Sequence, residues 1–174
     1  MIRVLIADDQ ALVRSGFRVI LETEPDIEVV GEAADGVEAV ERAAALAPDV
    51  ICMDVEMPRM DGIEASRRIL AHGRGEGSAS ILVLTTFGHE ENLFDALAAG
   101  VSGFLLKTSR AEQLVDAVRP LAAGQALLGP DVTRVVMERA TGAGNGPGAG
   151  GPRVGGPGVS GPDAGGPDAG GLAA

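Results

Sequence analysis

The chain has 174 residues, 45% of them hydrophobic, which suits one globular domain of ordinary size with residues left over. A formal net charge of −11 argues against non-specific attraction to nucleic acid or to an anionic membrane surface, and a single cysteine, Cys52, excludes an intrachain disulfide. The N-terminus shows no basic region or cleavage site, and no apolar run approaches the roughly 18 residues of a spanning helix, so a soluble, cytoplasmic protein is expected.

Five short apolar runs follow one another: Val4–Ala7, Ile27–Val30, Val50–Met53, Ile81–Leu84 and Gly103–Leu106. Each reads as a strand. The first, third and fourth are almost unbroken, as expected for strands covered on both faces of a parallel sheet. Between them lie segments of helical period. Val13, Phe17, Ile20 and Leu21 recur at i, i+4, i+7 and i+8, and Leu93 with Leu97, then Leu114, Val118 and Leu121, repeat the pattern. Pro48 and Gly100 supply stop signals after the second and fourth helices. Strands alternating with helices imply right-handed crossovers, hence an α/β, doubly wound, five-stranded parallel sheet in the order 2-1-3-4-5 with helices on both faces. Ligands in such sheets sit beyond the carboxyl ends of the strands, beside the switch point between strands 1 and 3.

The stretch from Gly73 to Ser80 reads as a surface excursion, and Pro130 to Ala140 as a further short helix with Val132, Val135 and Val136 on one face. From Gly142 the composition changes. Pro147, Pro152, Pro157, Pro162 and Pro167 recur every five residues, each after a glycine; collagen needs a period of three, and a tract with so little apolar bulk reads as a flexible linker or tail. The chain thus divides into a domain over 1–124, a connector with a short helix over 125–141, and a Gly/Pro-rich segment over 142–174.

Polar residues of suitable types cluster at the strand ends. Strand 1 ends in Asp8-Asp9, strand 3 in Asp54, strand 4 in Thr85-Thr86, and strand 5 just before Lys107, the one lysine beside 13 arginines. Two like charges about 4 Å apart repel by roughly 4 kcal/mol at an effective dielectric near 20, so three carboxylates in one crevice call for a cation. Mg²⁺ is the natural choice, since it takes one or two carboxylates and keeps waters and phosphate oxygens. Asp54 can act as a covalent nucleophile, Lys107 can offer an ammonium to a phosphoryl group, and the Thr85 hydroxyl can donate to it. Each residue also has a plainer use: an Asp as a helix N-cap, a lysine for solubility, a threonine for strand propensity. Their coincidence at one sheet edge favours chemistry. Cys52 reads as a core residue, and His72 and His89 as solvated side chains without metal spacing.

Asp8-Asp9, Asp54-Val55-Glu56-Met57-Pro58 with Asp61-Gly62, Thr85 and Lys107 together resemble the pattern of bacterial response-regulator receiver domains, over residues 1 to about 124. Val30-Gly31-Glu32-Ala33, Asp35-Gly36, Leu84-Thr85-Thr86-Phe87 and Ala99 to Lys107 look like the NarL/LuxR-type subfamily, whose output is a helix-turn-helix. The resemblance implies that Asp54 is phosphorylated from a phosphohistidine of a sensor histidine kinase, making the chain a self-catalysed phosphoacceptor rather than an enzyme. It implies that Asp9, Asp54 and the Glu56 backbone carbonyl ligate Mg²⁺, with Asp8 acting partly through water. Lys107 would then contact the phosphoryl group, and Thr85 and Phe104 would switch together. A phosphorylation-dependent homodimer is a further expectation, and DNA would be reached only through an output domain. That domain is absent from this chain, and the linker-like tail is expected to lead into it. Thr108 departs from the pattern, standing where many receivers place a proline after the lysine. Two other readings stay open: a stand-alone or degenerate receiver serving as an interaction module, and an aspartate-nucleophile phosphatase. Against the phosphatase, Gln10 stands where its second aspartate belongs. A nucleotide-binding Rossmann domain is disfavoured because Asp8-Asp9-Gln10 replaces the glycine-rich loop.

Overall fold

The structure, a computed structural model, describes residues 1–73, 77–86 and 90–142. The tract from 143 onward, His89 and the middle of the Gly73–Ser80 excursion lie outside the described residues. The elements in chain order are β1 (Ile2–Ala7), α1 (Ala11–Glu22), β2 (Ile27–Ala33), α2 (Gly36–Leu46), β3 (Val50–Asp54), α3 (Gly62–His72), β4 (Ser80–Thr85), α4 (Glu90–Ala99), β5 (Gly103–Leu106), α5 (Ala111–Ala122), β6 (Leu127–Leu128) and α6 (Pro130–Gly142). The strands pair in parallel in the order 2-1-3-4-5-6, the doubly wound arrangement that the alternating pattern predicts.

Pleat parity sorts the apolar side chains of the central strands into two layers. Val4, Ile6, Val50, Cys52, Leu82 and Leu84 face Leu21 of α1 and Leu114, Val118 and Leu121 of α5. Leu5, Ile51, Met53, Ile81 and Val83 face Ala39 of α2, Ile63 and Ile69 of α3, and Leu93 and Ala96 of α4. Cys52 is fully enclosed, and burial pushes its thiol up to about 12, which makes it an inert core residue.

Two differences from the expected pattern bear on the site. The sheet has six strands among the described residues, not five: Leu127-Leu128 adds a two-residue edge strand on β5, and Val132 of α6 is buried in the layer below it. Two residues are too short to leave a periodic signal, so only pairing with Gly103 and Phe104 reveals them. The second strand also runs three residues further than its apolar run, to Ala33. Val4 pairs with Val29 and Leu5 with Gly31, so an extra residue bulges at Val30 and brings the polar Glu32 level with the end of β1.

Among the described residues no helix is long and apolar enough to cross a membrane.

Candidate functional site

Strand register alone gathers the polar ends. Ala7 pairs with Met53, so the residues that follow or end these strands, Asp8 and Asp54, lie side by side. Asp54 pairs with Leu84, placing Thr85 one step beyond it, and Thr85 pairs with Leu106, placing Lys107 one step beyond that. The Lys107 backbone N–H donates to the Thr85 carbonyl at 2.7 Å, which anchors the lysine where β5 stops.

Asp8, Asp54 and Thr85 are buried, whereas Asp9 is exposed. Carboxylate oxygens of Asp8, Asp9 and Asp54 all lie within 4.8 Å of one another. Lys107 Nζ sits 2.7 Å from Asp8 Oδ2 and 3.0 Å from Asp54 Oδ2. Asp8 Oδ2 is enclosed, with the Lys107 ammonium as its charge partner. Three converging carboxylates, two of them enclosed, are the donor set a hard divalent cation takes, so the residues present fit Mg²⁺.

The titration of this group reflects its crowding. Burial pushes the Asp54 carboxyl up to about 6, against the lowering contacts of Lys107, with Asp8 adding to the rise and a backbone N–H of Glu56 opposing it. Burial works against the Lys107 charge, but the contacts with Asp8 and Asp54 prevail and its pKa is raised. Asp54 holds its proton more tightly when folded than when unfolded. Its ionisation therefore removes stability as pH rises from the ordinary carboxylate value of 3.8 towards 6. Without divalent cations, Asp54→Asn is expected to gain about 3 kcal/mol over the parent at pH 7, and close to nothing at pH 3.5. Thermal melts of both proteins across that range read the difference; a gap independent of pH would contradict it.

The loops that follow β1 and β3 are built by their own sequence. Asp8 Oδ1 accepts from the Gln10 backbone N–H at 2.8 Å, so this aspartate does serve the start of α1 as well as the pocket. Asp61 caps α3 by accepting from the Glu64 N–H at 2.8 Å. Phe104 lies in the apolar layer on the α4 side and is not among the pocket residues. Exposed His72 has Nδ1 2.6 Å from the Arg68 carbonyl and belongs to no metal-binding group among the described residues.

Two arginines, one beside the pocket and one on the loop after β3, carry no periodic signal in the sequence. Arg14 of α1 donates through Nη1 to the Asp8 carbonyl at 2.7 Å, and through Nε to Glu32 at 3.1 Å. Arg59 donates through Nε and Nη2 to Asp35 Oδ2 at 2.9 and 2.6 Å. Arginines on a helix face and in a loop leave no periodic mark. Their short spacing from Asp8 and Asp54 is the one hint the chain offers.

A family model described as the response regulator receiver domain matches residues 4–119. The chain is 44% identical over 144 residues to the transcriptional regulatory protein LiaR of Bacillus subtilis, covering 83% of this chain and 67% of that one. It is 42% identical over 131 residues to the response regulator protein VraR of Staphylococcus aureus, covering 75% and 61%. The chain therefore spans about 61% to 67% of the length of these relatives. A LuxR-family two-component response regulator from Aurantimonas sp. SI85-9A1 superposes with a TM-score of 0.74 at 34% identity, over 80% of this chain and 97% of that one. The isolated receiver domain of RcsB from Salmonella enterica serovar Typhimurium, solved with the phosphomimetic BeF3−, gives 0.68 at 31% identity, over 77% and 97%. Motif, topology, pocket and relatives agree: this chain belongs to the response-regulator receiver family of two-component systems, among its LuxR-type members.

Proposed function

We propose that Asp54 accepts a phosphoryl group from a phosphohistidine of a sensor histidine kinase, in a Mg²⁺-dependent step, and that the phosphorylated chain controls an output, DNA binding and transcription. One observation carries this reading above the others: the single lysine reaches both Asp8 and Asp54, at 2.7 and 3.0 Å, where three carboxylates converge.

An Asp54 carboxylate oxygen attacks phosphorus, the phosphorus–nitrogen bond breaks, and its electron pair leaves on the imidazole nitrogen, which takes up a proton. Asp54 must be ionised to attack, and a value near 6 leaves it mostly so at neutral pH. Asp9, Asp54 and the Glu56 backbone carbonyl would hold the Mg²⁺, with Asp8 acting partly through water. The ion supplies positive charge to the phosphoryl oxygens when bound. Once a phosphoryl group occupies Asp54, the Lys107 ammonium can turn from Asp54 to a phosphoryl oxygen with little motion, and Thr85 can donate its hydroxyl to another. Phe104, on β5 three residues before Lys107, would follow Thr85 as the coupled switch. The chain would then be a phosphoacceptor with self-catalysed gain and loss of the group, not a turnover enzyme.

Residues 1–124 would form the receiver, 125–141 a connector and 142–174 a linker towards an output domain of the helix-turn-helix class. A cytoplasmic setting and a phosphorylation-dependent homodimer complete the proposal. About a third of LiaR and two fifths of VraR lie outside the part that this chain matches. Intact-mass measurement tests the central step. The chain treated with acetyl phosphate and Mg²⁺ should gain one phosphoryl group, Asp54→Ala should gain none, and a parent chain that stays unmodified overturns the reading.

A further inference from the structure

Asp8 and Asp9 follow β1, and Asp54 ends β3, so the pocket is bordered by the loop after β1 and by the loop after β3 that carries Glu56. Both are tied to a third place. The corner between β2 and α2 contributes no ligand and no reactive group, yet Glu32 and Asp35 on it each receive an arginine from an acid-bearing loop or its flank. Arg14 spans from Glu32 to the Asp8 carbonyl with two different nitrogens, at 3.1 and 2.7 Å, and its side chain is 17% exposed. It thereby holds the peptide group that joins Asp8 to Asp9. Arg18 adds a second guanidinium on Glu32 at 2.6 Å, and together these contacts hold the Glu32 carboxyl below its usual range.

Arg59 does the same for the other loop. It lies five residues after Asp54, with φ at 65°, a left-handed backbone that a residue with a side chain adopts at a cost. Its guanidinium is on Asp35, which at the same time caps α2 by accepting from the Glu38 N–H at 2.9 Å. The neighbouring peptide makes a parallel link, with the Gly36 N–H donating to the Met60 carbonyl at 3.1 Å. A largely exposed arginine in an ion pair adds little to stability, and a strained backbone subtracts from it. The residue at this position is therefore better explained by what it holds in place than by what it contributes to folding.

We infer that Arg14 and Arg59 are positioning residues of the acidic pocket, each tying one acid-bearing loop to the β2–α2 corner, Arg14 through Glu32 and Arg59 through Asp35. The inference rests on the proposed Mg²⁺-dependent phosphoacceptor. Strand pairing sets where Asp8 and Asp54 meet, and the corner acts as a common frame for the rest: the two guanidinium bridges steady the Asp8–Asp9 peptide and the loop after Asp54 that carries Glu56.

Charge and geometry predict opposite signs, which makes the test decisive. Arg59→Gly removes a positive charge, and by electrostatics alone Mg²⁺ should bind a more negative chain more tightly. If the arginines position the acids, Mg²⁺ should bind more weakly in spite of that. Isothermal titration of the whole chain with MgCl2, with melting temperatures recorded in the metal-free state, separates the two. Arg14→Lys keeps the charge but loses the planar fork whose Nε and Nη1 meet Glu32 and the Asp8 carbonyl at separate points, and should weaken Mg²⁺ about tenfold. Arg59→Gly removes the bridge and relieves the left-handed backbone, so it should melt at or above the parent temperature and still bind Mg²⁺ several-fold more weakly. Asp35→Asn, which keeps the cap acceptor, should weaken binding alone and add nothing to Arg59→Gly. Unchanged or tighter binding by Arg59→Gly overturns the inference, whatever Arg14→Lys does. A parent chain that binds no Mg²⁺ overturns the proposed function itself, which tells the two failures apart.

Discussion

Lys107→Met, measured without divalent cations, is expected to lose about 3 kcal/mol of stability at pH 7 and much less at pH 3.5. The methionine preserves most of the volume of the lysine stem, so the loss reports charge rather than a cavity. Removing the ammonium strands two enclosed carboxylates 2.7 and 3.0 Å from where their counter-charge stood. Asp54 is already raised to about 6 with the ammonium present, and losing a lowering contact raises it further. The sign follows: the variant protonates Asp54 over a wider range above 3.8, so its deficit grows with rising pH and fades in acid. Urea unfolding at both pH values measures it. Excess Mg²⁺ should recover more stability in Lys107→Met than in the parent, because the ion replaces the missing positive charge and binds only the folded pocket. Equal losses at both pH values, or no response to Mg²⁺, would remove the electrostatic account of the pocket.

Gly62→Ala should be worse still, costing more than about 3 kcal/mol or abolishing the fold. A Cβ at Gly62 would stand 1.8 Å from the Asp54 carbonyl oxygen and 3.0 Å from Met53 Cγ. The nearest of these is backbone at the end of β3, held by its pairing with β4, and cannot step aside. The Gly62 N–H also donates to the Val55 carbonyl at 2.9 Å, so the close approach is part of the loop that returns the chain from Asp54 to α3. Gly16 gives the contrast. It lies inside α1 with nothing within 4 Å of its would-be Cβ, so Gly16→Ala should add up to about 1 kcal/mol from helix propensity. If chemical denaturation ranks the two substitutions alike, the close packing of the β3–α3 loop is not what Gly62 serves.

Asp54, Lys107 and Gly62 are thus linked in a way that none of them shows by itself. Asp54 weakens the fold by being buried, Lys107 offsets part of that, and Gly62 lets α3 begin directly under the Asp54 peptide. The pocket is kept at a cost in stability, which is what a site reserved for a charged ligand requires.

Much of this is legible in the chain alone. The unbroken runs at Val4, Val50 and Ile81 announce central parallel strands, because a strand covered on both faces cannot alternate. Asp8, Asp9, Asp54, Thr85 and Lys107 can be placed at one edge because each ends or follows a strand, and parallel strands all end on the same side. The β6 pair and the bulge at Val30 cannot be read, since one is shorter than any period and the other shifts register without changing composition.

The amino-acid sequence by itself determined the fold class, the succession of the five main strands and the identity of the acids and the lysine. Those properties rest on local periodicity and on which residue follows which strand. Only the tertiary structure decided that Lys107 faces both Asp8 and Asp54, that the Asp54 carboxyl is raised, and that Arg14 and Arg59 tie the acid-bearing loops to Glu32 and Asp35. The arginine bridges to Glu32 and Asp35 join residues 18 and 24 positions apart, and the lysine pairs join residues much further apart. Such distances, and the water that the surrounding side chains exclude from Asp54, arise only when separate elements pack together, and no local pattern encodes either.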